Sequence, residues 1–332
     1  MSDRLMECAA RLHGCRVLVT GAAGFVGANL LRILVAAGCE PHGIIRPGSQ
    51  SWRLTDVVGK VVLHEADLTD ERAFEAVFSQ VRPEYVFHLA TPRGSSEAAR
   101  DEMLRLNVLG AVFLGRLVSK YGTRRLVVAG SSLEYAPSTV ALSESSMVGP
   151  LTWHGTAKAA ATLMFQYAAR ANALPVVLLR LFHVYGPWES AHRLAPTAIR
   201  SALDGAQLPL TEPGIRRDWV FVDDVCAALL LALDRGCNGA IFNIGTGVET
   251  ANEALVACVE SVTGWQIKMA PGDHDRRITD ADHRFADPTL AHDVLGWLPQ
   301  HDLETGLRHT VAWYKANPNA WSSATDVRPE LV

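Results

Sequence analysis

From Arg16 onward, short continuous apolar runs alternate with stretches in which apolar residues return every three or four positions. Arg16 to Thr20 (RVLVT) is rich in β-branched residues and has no polar alternation, which is the pattern of a buried strand. Apolar residues then recur at helical spacing from Val26 through Leu30, Leu31 and Leu34. The same cycle repeats down the first half of the chain. Strands are predicted at His42 to Arg46, Val61 to His64, Tyr85 to Ala90, Arg125 to Gly130 and Val176 to Leu181. Helices are predicted between them at Glu71 to Val81, Asn107 to Lys120 and Thr156 to Ala171.

After Leu181 the rhythm breaks, with Pro187, Pro196, Pro209 and Pro213 interrupting the chain. Helical spacing returns at Leu194 to Leu203, Asp223 to Asp234, Asn252 to Thr263 and near Leu303 to Lys315. Ala240 to Ile244 reads as a strand rejoining the sheet, and Asp223 and Asp224 as acids that cap the helix they open. Alternating strands and helices predict an α/β fold: a doubly wound parallel sheet with a smaller, interleaved C-terminal lobe. On this reading residues 1–181, with 218–246 returning, form the main domain. Residues 182–217 and 247–332 form the lobe that takes the substrate. Ligands of such sheets lie beyond the carboxyl ends of the strands, so functional residues are expected just after them.

Composition narrows the field only slightly. With 31 basic and 35 acidic residues the net charge of −4 favours neither a nucleic-acid nor a membrane partner. The cysteines at 8, 15, 39, 226, 237 and 258 are scattered, so neither a disulfide framework nor a metal site is expected. No apolar run reaches membrane-spanning length and Met1 to Gly14 has no signal-peptide core, so a cytoplasmic protein is expected.

The chemistry starts at the end of the first strand. Gly21, Gly24 and Gly27 follow it, and Phe25 and Val26 open the helix. Glycines at a strand-to-helix turn let the backbone approach a pyrophosphate, which the free N–H groups of the helix N-terminus then attract. That context points to a dinucleotide. Arg46, at the end of the second strand, stands where an acid would meet a ribose 2′-hydroxyl; a cation there suits a 2′-phosphate. NADP(H) is therefore favoured over NAD, which stays possible, and Ser49 and Arg53 are secondary candidates near the same phosphate.

Several segments in order resemble one family: TGAAGFVG (Thr20 to Gly27), EADLTD (Glu65 to Asp70), HLA (His88 to Ala90), SSLEYA (Ser131 to Ala136) and RLFHVYGP (Arg180 to Pro187). RDWVFVDDV (Arg217 to Val225), FNIGTG (Phe242 to Gly247) and the tail around RRITDADHRFADP continue the set. The chain resembles the extended short-chain dehydrogenases/reductases of the nucleotide-sugar epimerase/dehydratase group, whose fold is Rossmann-like. The resemblance implies that Asp67 and Leu68 contact the adenine and that Leu89 and Ala90 flank the cofactor's ribose and phosphates. It implies that Lys158 holds the nicotinamide ribose and that Ser131 hydrogen-bonds the reacting sugar oxygen. Arg217 and Arg277 are implied clamps for the substrate diphosphate, with Ser132, His183 and Arg193 as further substrate contacts.

Departures from that pattern matter as much. The family's general acid/base is a Tyr four residues before the lysine, and here that position is His154. The positions where 4,6-dehydratases carry acids are Ser132 and Leu133, with Glu134 one step late. His183 replaces the asparagine usual in its motif. His154 is taken as the catalytic acid/base beside Ser131 and Lys158, with Tyr135 a core or wall residue and His88 a core histidine. The expected activity is reduction of a keto group on a nucleotide-linked 4-keto-6-deoxy sugar. The alternatives are an epimerase holding NAD tightly, or a non-catalytic NADP(H)-binding sensor. The resemblance also implies a homodimer.

Overall fold

The computed structural model describes residues 3–92, 96–211, 213–272 and 281–318. The main sheet contains β1 (Arg16–Thr20), β2 (Glu40–Ile45), β3 (Val62–Glu65) and β4 (Tyr85–His88). It is completed by β5 (Arg125–Ser131), β6 (Val176–Leu181) and β10 (Ile241–Ile244). All seven strands are parallel, in the order β10-β6-β5-β4-β1-β2-β3.

Period-two side-chain alternation explains why both faces of this sheet are buried. Val17, Val19, Phe87, Val127, Val177 and Leu179 point to one face. They pack under α2 (Phe25–Ala36) and α8 (Val222–Leu231). Leu18, Val86, Leu126, Val128, Val176 and Leu178 point to the other face. That side is covered by α3 (Glu71–Val81), α5 (Gly110–Tyr121) and α6 (Trp153–Asn172). The doubly wound α/β sheet is therefore the fold of this chain.

The structure adds elements that periodicity does not announce. Short α1 (Asp3–Ala10) packs on α8 and α2, and Leu5 and Ala9 are buried there. The helix predicted from Asn107 starts earlier, as α4 (Glu97–Leu104), and passes through a π turn at Arg105–Leu109 into α5. Thr152 accepts a hydrogen bond from Gly155 N at 2.9 Å, so α6 begins at Trp153, ahead of the predicted Thr156. Asp223 and Asp224 do not cap α8: its N-cap is Phe221, without a side-chain bond. Asp224 lies in the first turn and accepts from Gln300 N (3.0 Å), His301 N (3.1 Å) and His301 Nδ1 (3.1 Å), tying down the chain ahead of α10 (Leu303–Ala316).

A second sheet joins β7 (His183–Tyr185), β9 (Arg216–Phe221) and β11 (Glu249–Ala251). Within the returning segment, residues 218–221 therefore lie in this small sheet, while α8 and β10 complete the main domain. Around it, α7 (Leu194–Asp204), α9 (Asn252–Thr263) and α10 enclose a separate core of Tyr185, Ile199, Trp219, Val256 and Leu307.

One clasp spans the two parts. Trp188 adopts a left-handed conformation (φ 70°), unusual for a bulky residue. The Arg32 guanidinium of α2 lies 3.8 Å from its ring centroid, with Trp313 of α10 at 4.7 Å and Trp52 at 5.8 Å. Asn29 Nδ2 donates to Pro187 O at 3.0 Å, and Tyr314 OH to Glu189 O at 3.1 Å. Buried Arg53 donates to Trp188 O (2.8 Å) and Ser190 Oγ (2.9 Å).

Candidate active site

The carboxyl ends of β1, β2, β3 and β4 bring the glycine loop, Arg46, Asp67 and Leu89-Ala90 to one edge of the sheet. Gly21 has a φ of 70°, and a Cβ there would lie 2.7 Å from Ala90 N. A Cβ on Gly27 would lie 2.3 Å from Gly21 O. No side chain larger than hydrogen fits either position. Gly24 caps α2 without a side-chain bond, and the first turn of the helix carries no acid. Neither a capping side chain nor an acid of the helix's own first turn competes for the N–H groups around Phe25, Val26 and Gly27, a setting that suits a pyrophosphate. Leu89 N donates to Thr20 O at 3.2 Å and keeps its strand end beside the loop. Asp67 accepts from Thr69 N and Thr69 Oγ1, both at 2.8 Å, while Leu68 is buried.

Arg46 follows β2 directly, but its guanidinium pairs with Glu102 of α4. Both side chains remain exposed, at 62% and 39%. Ser49 N closes a turn onto Arg46 O at 3.0 Å. Arg53 is buried, donates to the clasp at 188–190, and also reaches Ala23 O of the glycine loop with Nη1 at 3.5 Å.

The catalytic candidates converge where β5 meets α6. Ser131 ends β5, and its Oγ accepts from Leu133 N at 3.2 Å. Gly155 lets the first turn of α6 press on the turn after Ser131, since a Cβ there would lie 2.1 Å from Leu133 O. His154, half-buried in that first turn, precedes Lys158 by four residues, so both lie on one face of the helix. Lys158 is buried and its Nζ donates to Ala129 O at 2.8 Å. Burial pushes its ammonium down to about 8, opposed by the negative charge of Glu134.

Two neighbours are core residues. Tyr135 is fully buried, its OH donates to Asn243 Oδ1 at 2.8 Å, and burial raises the phenol further. His88 shares a 2.8 Å hydrogen bond with Thr20 Oγ1, and burial, with Lys158 nearby, pushes its imidazole down to about 3.

Among the substrate candidates, His183, Arg193 and Arg217 come together. His183 stacks edge-on with Trp219 at 4.4 Å between ring centroids. Burial first, then the cations of Arg193 and Arg217, hold its imidazole well below the usual value. Arg193 is the exposed N-cap of α7. Arg217 Nη1 donates to Arg216 O and to Ala281 O, both at 2.8 Å. Residues 281–283 face Pro137, Ser138, Thr139 and Leu151 across an open cleft of about 520 Å³. Ser132 is buried rather than open to this cleft. Arg277 lies outside the described residues.

Sequence reasoning missed Glu134, Arg284 and Glu102. Glu134 is wholly buried and pairs with Arg180 (Nε–Oε2 2.8 Å). Its signal was the S-x-x-E spacing from Ser131, the pattern of a capping box. Arg284, three residues before Asp287, donates to Ser132 O. Glu102 carries no local signal. Among the described residues no group of three or more His, Cys, Asp or Glu could hold a metal ion, and no helix is long and apolar enough to cross a membrane.

Comparison with known proteins places this geometry. The family model described as "NAD dependent epimerase/dehydratase family" matches residues 17–245. The dTDP-glucose 4,6-dehydratase of Neisseria meningitidis serogroup B is 26% identical, over 93% of this chain and 95% of that protein. The UDP-glucose 4-epimerase of Mycolicibacterium smegmatis is 29% identical, over 90% of this chain and 98% of that protein. The solved Thermus thermophilus UDP-glucose 4-epimerase, in complex with NAD, superposes with a TM-score of 0.80 at 27% identity, covering 90% and 99% of the two chains. Motifs, fold and relatives agree, and the chain belongs to the NAD dependent epimerase/dehydratase family, among the extended short-chain dehydrogenases/reductases.

Proposed function

We propose that this chain is an NADP(H)-dependent oxidoreductase that reduces a keto group on a nucleotide-linked sugar, of the 4-keto-6-deoxy type. The observation that carries the reading is the position of His154. It stands one helical turn before buried Lys158, in a first turn that Gly155 seats against the turn after Ser131. When bound, the reduced nicotinamide supplies the hydride; the glycine loop, Arg46, Asp67, Leu68, Leu89, Ala90 and Lys158 would hold that cofactor.

The chain's own residues supply the rest. The Leu133 N–H engages one lone pair of Ser131 Oγ, which sets the hydroxyl to donate to the oxygen being reduced. His154 hands a proton to the same oxygen as negative charge develops on it. Arg217, with Arg193 nearby, and Arg277 would supply the positive charge for the nucleotide diphosphate, while the uncharged imidazole of His183 lines the cleft beside them. Elimination of water, as in the dehydratases, is disfavoured: Ser132 and Leu133 occupy the acid positions, and buried Glu134 is committed to Arg180. Residues 182–217 and 247–332 are taken as the substrate lobe. Exposed Leu163 and Tyr167, one turn apart on α6, offer an apolar stripe for a homodimer in the cytoplasm.

An epimerase that keeps NAD bound is the second reading, favoured by the NAD of the Thermus enzyme. Identification of the copurifying cofactor, followed by turnover of nucleotide-linked 4-ketosugars, separates the two. Net oxidation of added NADPH supports the reductase. Interconversion of sugars without net change in cofactor overturns it.

A further inference from the structure

The carboxylate of Glu134 is fully buried and makes three hydrogen bonds to three different elements. Oε1 accepts from Ser131 N at 2.9 Å at the end of β5. Oε2 accepts from Thr162 Oγ1 at 2.9 Å on α6 and from Arg180 Nε at 2.8 Å on β6. Gly130 leaves the space, since a Cβ there would sit 2.6 Å from Oε1. Thr162 lies four residues beyond Lys158, which lies four beyond His154, so all three share one face of α6. The two oxygens therefore bridge the backbone of Ser131 to the helical face that carries the other two catalytic candidates.

We propose that Glu134 is a positioning residue, fixing Ser131 in register with the His154–Lys158 face of α6. This rests on the assignment of Ser131, His154 and Lys158 to the active site. A buried carboxylate with a backbone donor on one oxygen and a hydroxyl and a guanidinium on the other is a stiff spacer, because each bond would leave an unsatisfied group if it slipped. Misplacement of a reacting group by about 1 Å can lower a rate about a hundredfold, so the spacing is worth fixing. Glu134 itself touches neither cofactor nor sugar on this account.

The test compares Glu134→Ala with Glu134→Gln in the full-length protein. Both leave the Arg180 guanidinium without its counter-charge, so both lower the melting temperature. Gln keeps an oxygen for Ser131 N and an amide that can donate to Thr162 Oγ1, although that amide meets Arg180 Nε–H donor to donor and so adds to the loss of stability. Hydrogen exchange, read well below the melting temperature without substrate or cofactor, should quicken at the Ser131 amide at least about tenfold in the Ala variant. In the Gln variant it should stay within about threefold of wild type. Turnover should follow the same split: kcat down about thirtyfold or more in Ala and within about threefold in Gln, with cofactor Kd unchanged in both. Exchange at Ser131 unchanged in the Ala variant, or Ala and Gln variants that behave alike, overturns the proposal. If wild type turns over no ketosugar, the functional reading fails while the exchange measurement still decides the role of Glu134.

Discussion

Replacing His154 by Phe removes the proposed proton donor while keeping a ring of similar size. The structure confines the damage. The Thr152 cap on Gly155 N (2.9 Å) and the close approach of Gly155 to Leu133 O involve only backbone and neighbouring side chains, so the first turn of α6 persists. Lys158 Nζ keeps its 2.8 Å bond to Ala129 O, so cofactor affinity should stay within about twofold. What the reaction loses is a positioned proton donor, typically worth about 10²- to 10⁴-fold in rate, or about 2.7–5.4 kcal/mol on the barrier. Initial rates from nicotinamide absorbance, with a nucleotide-linked 4-ketosugar, give kcat; cofactor titration gives Kd. Tyr135→Phe is the control. Its hydroxyl is buried on Asn243 Oδ1, so its removal should lower stability by about 1–3 kcal/mol and leave the rate alone. Full turnover in His154→Phe, together with a dead Tyr135→Phe, would refute the reasoning.

Arg46→Asp should reverse the preference from NADP(H) to NAD(H), and Glu102→Gln, by freeing the guanidinium of an exposed pair worth at most about 1 kcal/mol, should tighten NADP(H) up to about fivefold. Equal affinities of wild type for the two cofactors would remove the assignment. Arg217→Ala should weaken nucleotide-sugar binding about ten- to a hundredfold without changing cofactor affinity, checked by calorimetry with the nucleoside diphosphate. Lys158 sets the alkaline limit: its folded value of about 8 lies below the ordinary 10.5, so the ammonium is present below pH 8 and lost as pH rises through it. kcat/KM should fall across that point, and a profile flat to pH 10 would contradict it. The same shift means the folded chain binds fewer protons than the unfolded one between about 8 and 10.5, so this group adds stability as pH rises through that window.

Most of the main sheet was legible because its inner strands β1, β4, β5 and β6 are largely buried on both faces and so read as mainly apolar runs, as in RVLVT and VVLL, whereas edge strand β3 is exposed. The glycine loop was legible for a related reason: crowding at Gly21 and Gly27 admits one residue type. The small sheet was not. β7 and β11 are three residues each, and β9 begins with two arginines and an aspartate, too short and too polar to raise a periodic signal. Within the site, Ser131, His154 and Lys158 were found through the resemblance to the extended short-chain dehydrogenases/reductases, whose motifs fix their spacing. Side-chain destinations were not found, because they depend on tertiary partners: Arg53 goes to the clasp, Arg46 to Glu102, and Glu134 inward to Arg180.

The indole cluster around Trp188 makes the joint between the two halves optically self-reporting. Trp52 follows β2 of the main sheet, and Trp313 belongs to α10 beside the small sheet, with Trp188 within 5.8 Å of one ring and 4.7 Å of the other. Rings this close couple electronically, so the strong indole band of the far-ultraviolet circular dichroism should be split by their fixed relative orientation. The Arg32 guanidinium over Trp188 gives one indole a distinct local field. Any shift of one half against the other changes those angles and the signal with them. Ligand-induced movement in this protein can thus be followed in the unlabelled wild-type chain, by its own absorption.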